Sequence, residues 1–470
     1  MSSIYGIVNS ALSALNTYTS AIDVVSNNIG NVETPGYTRQ QAIIQANAPV
    51  NTPNGVIGSG VGVTNVERIY NSFLVTQLRM ANQEMGKWSA QQESLNSIEQ
   101  VFSNSSDAGL SSTMASFWNN WQNLVNNPSG STERSLLVNS ANNLAIAFNN
   151  MSSQLGDIQK EIDKSVIENV AGINQLLQRI AGLNLNIQQV QATGQNTNSY
   201  KDELDLQVAN LAELININAY TNTNGQVSIQ LASGKPLVEG TSTWPLSTET
   251  YAVTGNITWP DGTATPPVAN GDITGGKLGG YLNVRDTMIT SYQTQLDTLA
   301  GSIIDEVNTQ HENGYDINGN AGGAFFTGTN ALNIAVNVQI YNPVTGISDP
   351  DLVAAAATSA SAPGDGRNAA AIAALQNSFV MDGATATFSN YFSALTSKVG
   401  SAVKTTDASY SFQSNAIQAW KNQRDSYSGV SVDEEQTKLI LYQNAYTASA
   451  KLMTVLDEMM KTLLNMAGTT

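Results

Sequence analysis

Two stretches of the chain carry apolar residues in alternating steps of three and four. Near the start these are Ile4, Val8, Ala11, Leu15, Tyr18, Ile22, Val25 and Ile29. Near the end they are Leu439, Tyr442, Tyr446, Ser449, Met453, Leu456, Met460 and Leu463, with Ser449 the one polar member. Such spacing lays one apolar stripe along a helix, and its strict heptad form predicts a coiled-coil seam. An ordinary amphipathic core helix would also show this periodicity. The position of the two seams at opposite ends of the chain favours a long terminal helix pair. Between Ile4 and Ile29 the only charged residue is Asp23, so side-chain ion pairs cannot support the first helix in isolation. That segment is expected to be poorly ordered in a lone chain and to fold when neighbours cover it.

Asn27, Asn28 and Gly30 end the first helix. Thr34-Pro35-Gly36-Tyr37 follows, with Pro and Gly at the central positions of a type II turn. Extended segments are predicted over 37–45 and 61–68. A heptad resumes at Leu74, Leu78, Ala81, Met85, Trp88, Leu95 and Phe102. Further helices fit 110–126, 132–193, 200–216, 281–311 and most of the chain from Asn368 onward. Phe117, Trp118, Trp121 and Leu124 form one apolar helix face, the mark of a core rather than of a ligand box. Residues 222–279 turn rich in Gly, Thr, Pro and Val, and Val227–Leu231 alternates as a strand does. Residues 313–367 are rich in Gly, Asn and Ala, with a strand pair expected between Leu332 and Tyr341.

The fold expected is α+β, mainly α, elongated and multidomain. A terminal coiled-coil core would comprise 1–69 with 430–470. A helical bundle would comprise 70–221 with 280–312 and 368–429. An outer β-rich variable domain would comprise 222–279 and 313–367, and its segment 222–270 is expected to be replaceable by a short Gly/Ser linker.

Composition narrows the function classes. Only 12% of residues are charged, and the net charge is −17. A polar, weakly charged surface suits packing against copies of itself, because few ions are desolvated on association. The acidic balance leaves no basic stripe for nucleic acid. Absence of cysteine rules out disulfides and thiolate metal sites. No apolar run reaches the roughly 20 residues of a membrane span. The start Met1-Ser2-Ser3-Ile4-Tyr5-Gly6 lacks the basic and apolar regions of a cleavable secretory signal.

Candidate chemistry is sparse. His311 is the single histidine and sits before Gly314, where it reads as a basic group at a helix C-terminus with no catalytic role. Asp316-Ile317-Asn318-Gly319-Asn320 resembles a calcium loop only briefly. Ala321 and Thr327 stand where the loop needs Gly and Glu, so a turn is expected. Asp433, Glu434 and Glu435 read as carboxylates at a helix N-terminus. No catalytic residue, cofactor or metal is expected, and the chain does not read as an enzyme.

The motifs do point to a family. Asn27-Asn28-Ile29-Gly30-Asn31-Val32-Glu33-Thr34-Pro35-Gly36-Tyr37-Thr38-Arg39 resembles the N-terminal signature of flagellar axial proteins. Glu434-Glu435-Gln436 with Tyr442-Gln443-Asn444-Ala445-Tyr446 resembles their closing helix. Ile180–Asn184, Gly275–Asp286 and Gln310–Gly319 are similar to the hook-associated protein 1 family. Ser199-Tyr200-Lys201-Asp202-Glu203 departs from the family's more regular run. The resemblance implies a structural subunit joining hook to filament, needed for filament assembly and motility. It implies an extracellular place in the flagellum, reached through the type III export apparatus. Implied partners are copies of itself, the hook protein, the second junction protein (hook-associated protein 3) and an export chaperone at the C-terminus. The sibling alternative is a hook or distal-rod axial subunit. The long helical interior and the Gly275–Gly280 segment speak against it. An exported hydrolase carried on the same scaffold would have to work without histidine in 222–279.

Overall fold

The computed structural model describes residues 2–52, 55–103, 109–260 and 269–467. The chain opens with α1 (Ser2–Gly30), then β1 (Gln40–Ala46), β2 (Val50–Thr52), β3 (Gly55–Ile57) and β4 (Val61–Arg68). Helices α2 (Ser72–Phe102), α3 (Leu110–Asn126), α4 (Ser131–Ala192) and α5 (Asn198–Leu214) follow. Strands β5 (Ile217–Thr221), β6 (Val227–Leu231), β7 (Pro236–Glu239) and β8 (Ser242–Thr243) form an antiparallel sheet in sequence order. After the short α6 (Tyr251–Thr254) come α7 (Gly276–Asn283) and α8 (Thr290–Glu312). Two small strand pairs, β9 (Phe326–Thr327) with β10 (Ala335–Val336) and β11 (Tyr341–Asn342) with β12 (Ile347–Ser348), precede α9 (Arg367–Ala374). The chain closes with α10 (Phe388–Ser428) and α11 (Val432–Ala467).

The 62-residue α4 is the spine of the bundle, about 93 Å long at the helical rise. Its inward face, from Leu137 and Leu144 through Phe148, Val166 and Ile173 to Ile187, is fully covered. Helices α2, α5 and α7 pack closely because glycines let the backbones touch. A Cβ on Gly280 would collide with the Lys87 carbonyl, and one on Gly86 with the Glu213 carbonyl. A π-helical turn, Val284–Ile289, separates α7 from α8. It turns Arg285 inward, where Nη1 donates to Asp163 (3.1 Å) and Nη2 to the Gly255 carbonyl (2.7 Å).

The strand-rich middle shares the core of the helices. Val227, Ile229, Leu231, Leu237 and Val238 are buried in the same apolar cluster as α4 and α5. Asn184 of α4 donates to the carbonyls of Val227 (2.8 Å) and Gly240 (2.7 Å) and accepts from the Val227 N–H (2.9 Å). Segment 313–367 wraps the opposite end of the bundle, where Phe325 and Phe326 pack on α3 aromatics, and Ile334 and Val353 are buried in the same cluster. Alternation along a strand shows which side is buried but not what covers it. The sequence pattern therefore left the sheet outside the bundle.

His311 departs from the reading of the sequence. It is fully buried rather than a charged group at a solvated helix end. Its Nδ1 donates to the Gly323 carbonyl (2.6 Å) and its Nε2 accepts from the Ala354 N–H (2.8 Å). The rings of Trp121 and Phe325 lie against it. Burial holds its pKa down at about 4, against the carbonyl bond, with nearby Arg134 adding to the depression. The neutral imidazole thus ties the wrapping segment to α8. Arg134 does the same from α4, donating to the carbonyls of Val353 (2.7 Å) and Pro128 (2.9 Å). Asp316 closes its own turn, accepting from the N–H groups of Asn318 and Asn320 (both 2.8 Å).

A depressed histidine pKa predicts how stability depends on pH. Above pH 6.5 both folded and unfolded imidazoles are neutral, and His311 gives no slope. Between 6.5 and about 4 only the unfolded state takes the proton. Stability should therefore fall by up to about 3 kcal/mol across that window. Denaturant titrations at pH 7 and pH 5 should show about 2 kcal/mol of this loss in the wild type, and His311→Asn should remove that share.

Candidate assembly interface

The terminal helices find each other within one chain. Asn28 of α1 bonds Glu435 of α11, and further along Tyr18 stacks on Tyr442 with ring centroids 6.3 Å apart. The residue numbers fall on one helix as they rise on the other, so the pair is antiparallel. A second face of α1 lies on the β1–β4 hairpin, where Thr17 donates to the Val61 carbonyl (2.9 Å). The expectation of a first helix left uncovered in the lone chain is thus revised, because α11 and the hairpin both cover it.

Along α1, Ala11, Ala21 and Val25 are buried, while Val8, Leu15, Ile22 and Ile29 are half-buried. The Ile4 side chain lies outside the described residues. Along α11, Leu456 is 3% exposed. Leu439, Tyr442 and Met453 are half-buried, and Tyr446, Met460 and Leu463 are exposed. Counting from the Tyr18–Tyr442 stack, the start of α1 lies about level with Glu458 at the common helical rise. Beyond that point α11 overhangs its partner, which leaves Met459, Met460, Leu463 and Leu464 exposed.

At the other end of the pair the polar groups converge. Asn28 has no exposed surface. Its Nδ2 donates to the Gln40 carbonyl and to Glu435 Oε2 (both 2.8 Å). Its Oδ1 accepts from the Tyr37 hydroxyl (2.8 Å) and the Gln40 N–H (2.9 Å). Both donors and both lone pairs of the carboxamide are used. Glu435, equally buried, is neutralised by Lys438 at 2.7 Å. Burial pushes the Tyr37 hydroxyl up to about 12, helped by Asp202 and Glu435, so it stays a proton donor.

The turn Thr34-Pro35-Gly36-Tyr37 positions that hydroxyl. The Tyr37 N–H donates to the Thr34 carbonyl (3.2 Å), and Gly36 has φ +81°, as a type II turn requires. Gly36 also lies so close to Leu206 of α5 that a Cβ would sit 3.3 Å from its side chain. Past the turn, the Thr38 N–H donates to Asp202 (3.2 Å). Arg68 Nη1 reaches Asp202 (2.8 Å) and Asp205 (3.0 Å).

Three of these residues were missed or misread in the sequence. Asn28 reads there as a helix stop, and Glu435 as one of several carboxylates near a helix dipole. Glu435 does sit in the first turn of α11, but it also stands four residues before Leu439, on the seam itself. That register is the signal that marks it as inward-facing. Asp202 lies in the stretch that departs from the family's usual run, and nothing local shows that it faces the turn.

Family profiles match in three places. "Flagella basal body rod protein" covers residues 9–38, "Flagellar hook-associated protein FlgK helical domain" 95–326, and "Flagellar basal body rod FlgEFG protein C-terminal" 421–466. Flagellar hook-associated protein 1 of Escherichia coli (strain K12) is 26% identical over 98% of this chain and 99% of its own length. Over nearly its whole length the chain is similar to flagellar hook-associated protein 1. The protein of the same name from Bacillus subtilis (strain 168) is 27% identical over 100% of this chain and 99% of its own. The solved flagellar hook junction protein FlgK from Burkholderia pseudomallei has the same fold. It aligns at TM-score 0.64 and 17% identity, over 75% of this chain and 100% of the other. The two rod-protein profiles fall on α1 with its turn and on α11, the two segments that Asn28 and Glu435 join.

Asn28→Ala would leave the Gln40 amide, the Tyr37 hydroxyl and the Glu435 carboxylate short of a partner. Each buried group left unsatisfied costs about 1–3 kcal/mol, more when charged. The variant is expected to lose the terminal pair while keeping the bundle. Limited proteolysis should then release fragments from 1–69 and 430–467 and spare residues 72–428.

Proposed function

We propose that the protein is a structural subunit of the bacterial flagellum that forms the junction between hook and filament and is needed for filament growth and motility. The observation that carries this reading is the terminal pair, locked inside by polar contacts and apolar outside. Ile440, Leu441, Leu452, Val455 and Leu464 on α11, with Tyr5, Ile7 and Leu12 on α1, are exposed along helices that already have an intramolecular partner. A soluble monomer gains nothing from so much apolar surface, whereas a subunit packed against its own copies buries it. Similarity to flagellar hook-associated protein 1 over nearly the whole chain supports the same place in the axis.

Further partners are the hook protein on one side and the second junction protein, hook-associated protein 3, on the other. An export chaperone holding the overhanging end of α11 before assembly fits the exposed Met459, Leu463 and Leu464. The site of action is extracellular, reached through the flagellar export apparatus. No helix among the described residues is long and apolar enough to cross a membrane. The role is structural, and the reading assigns no catalysis. Cells lacking the protein should carry hooks without filaments and should shed flagellin into the medium.

Two leucines of α11 separate assembly from folding. Leu441 is 62% exposed, whereas Leu456 is 3% exposed. Leu441→Asp should leave the circular dichroism and melting of the purified monomer unchanged, yet fail to restore filaments in a deletion strain. Leu456→Asp places a carboxylate inside the monomer and should destabilise the terminal pair by several kcal/mol. Normal filaments with Leu441→Asp would remove the outer face of α11 from the assembly mechanism.

A further inference from the structure

The terminal body (α1, β1–β4, α11) and the bundle are linked covalently at two places. The chain crosses at 69–71, where Asn71 caps α2 by accepting from the N–H groups of Phe73 and Leu74. It returns at 429–431, between α10 and α11. One residue holds the crossings side by side. The Arg39 N–H donates to the Ser428 carbonyl (2.9 Å), and the Arg39 carbonyl accepts from the Ile69 N–H (2.8 Å). Two adjacent short links define an axis and do not by themselves oppose rotation about it. Hinges are commonly built from a few such element-terminal residues.

What opposes rotation is one patch on the bundle, residues 196–206 around the start of α5. The Asp202–Thr38 and Arg68–Asp202–Asp205 contacts belong to it. Asn198 Nδ2 donates to the Val66 carbonyl (2.9 Å) and to Gln40 (3.3 Å), and Asn196 Nδ2 to the Val66 carbonyl (3.2 Å). The Leu206 side chain meets the close face of Gly36. Among the described hydrogen bonds and ion pairs, those joining the two bodies away from the crossings all come from this patch. Apart from Leu206, its contacts are polar and include ions removed from water, whose attraction is largely offset by desolvation. A joint held this way can open at small net cost, unlike one sealed by a shared apolar core.

We infer that the start of α5 is a clamp that sets the angle between the terminal helix pair and the bundle, with Arg68 gripped by Asp202 and Asp205 as its closed state and the Arg39-bridged crossings as its hinge. The clamp lets one chain present its terminal pair at more than one tilt while both bodies stay folded. It does not depend on the junction reading, and its failure would leave that reading standing.

The absence of cysteine makes the test direct. Spin labels at Ser20→Cys on α1 and Gln178→Cys on α4, both exposed, report the angle by double electron–electron resonance on the full-length monomer. A second pair, Ser20→Cys with Gln443→Cys, reports the terminal body alone. With the native clamp the inter-body distribution should be single and narrow. In Asp202→Asn/Asp205→Asn, and separately in Arg68→Met, it should broaden at least about twofold or split, as expected when a two-state equilibrium is shifted. The intra-body distribution should stay unchanged. An inter-body distribution identical in wild type and both variants would overturn the clamp. Broadening of the intra-body pair as well would also overturn it, because the patch would then be holding the terminal body together rather than setting its angle.

Discussion

A carboxamide with no exposed surface must place two N–H groups and two lone pairs, or its burial destabilises the fold. Asn28 places all four on three different parts of the chain: the strand start at Gln40, the turn at Tyr37 and the last helix at Glu435. No other short side chain has that valence. Aspartate lacks the donors and would set a second negative charge beside Glu435. The constraint fixes the entry angle of the chain after α1, the type II turn that delivers the Tyr37 hydroxyl, and the register of α11 against α1. Segments about 400 residues apart in sequence are thereby brought to one point.

That register decides which surface remains for assembly. With Glu435 held at the Asn28 end, Leu456 turns inward and Leu441, Leu452 and Leu464 turn outward. The same helix thus carries a polar lock on one flank and an apolar docking face on another. The overhang of α11 past α1 follows from the same anchoring. Tight intramolecular pairing and open apolar surface are usually in conflict. Here they coexist because each uses a different stripe of a single helix.

Much of the fold was legible in the sequence. The spans of α3, β4 and β6 follow from local pattern, as does α4 to within a residue at each end. Apolar periodicity states the helix and the face it buries, and Pro35-Gly36 states the turn. Long-range pairing was harder to read. His311 looks like a cation at a helix end until Gly323 and Ala354 close over both its nitrogens. The π-helical turn that aims Arg285 inward has no local signature in Val284–Ile289. The strands after α5 alternate correctly in the sequence, yet it takes partners such as Asn184, on a helix over 40 residues away, to show that their buried side belongs to the bundle. The two acids that grip Arg68 look like ordinary helix-surface carboxylates. In each case the deciding partner is distant in sequence, where periodicity and propensity carry no information.

The terminal pair is already folded in the single chain and is held there by the buried Asn28–Glu435 contact. Amide hydrogen exchange of the purified full-length monomer, read along α1 by mass spectrometry, tests it most directly. Exchange from about Ala11 to Asn28 should be slowed by orders of magnitude relative to an unstructured peptide, and Glu435→Ala should abolish the slowing there while sparing α4. Exchange of α1 at the unstructured rate in the wild-type monomer, with protection gained only on assembly, would contradict the account.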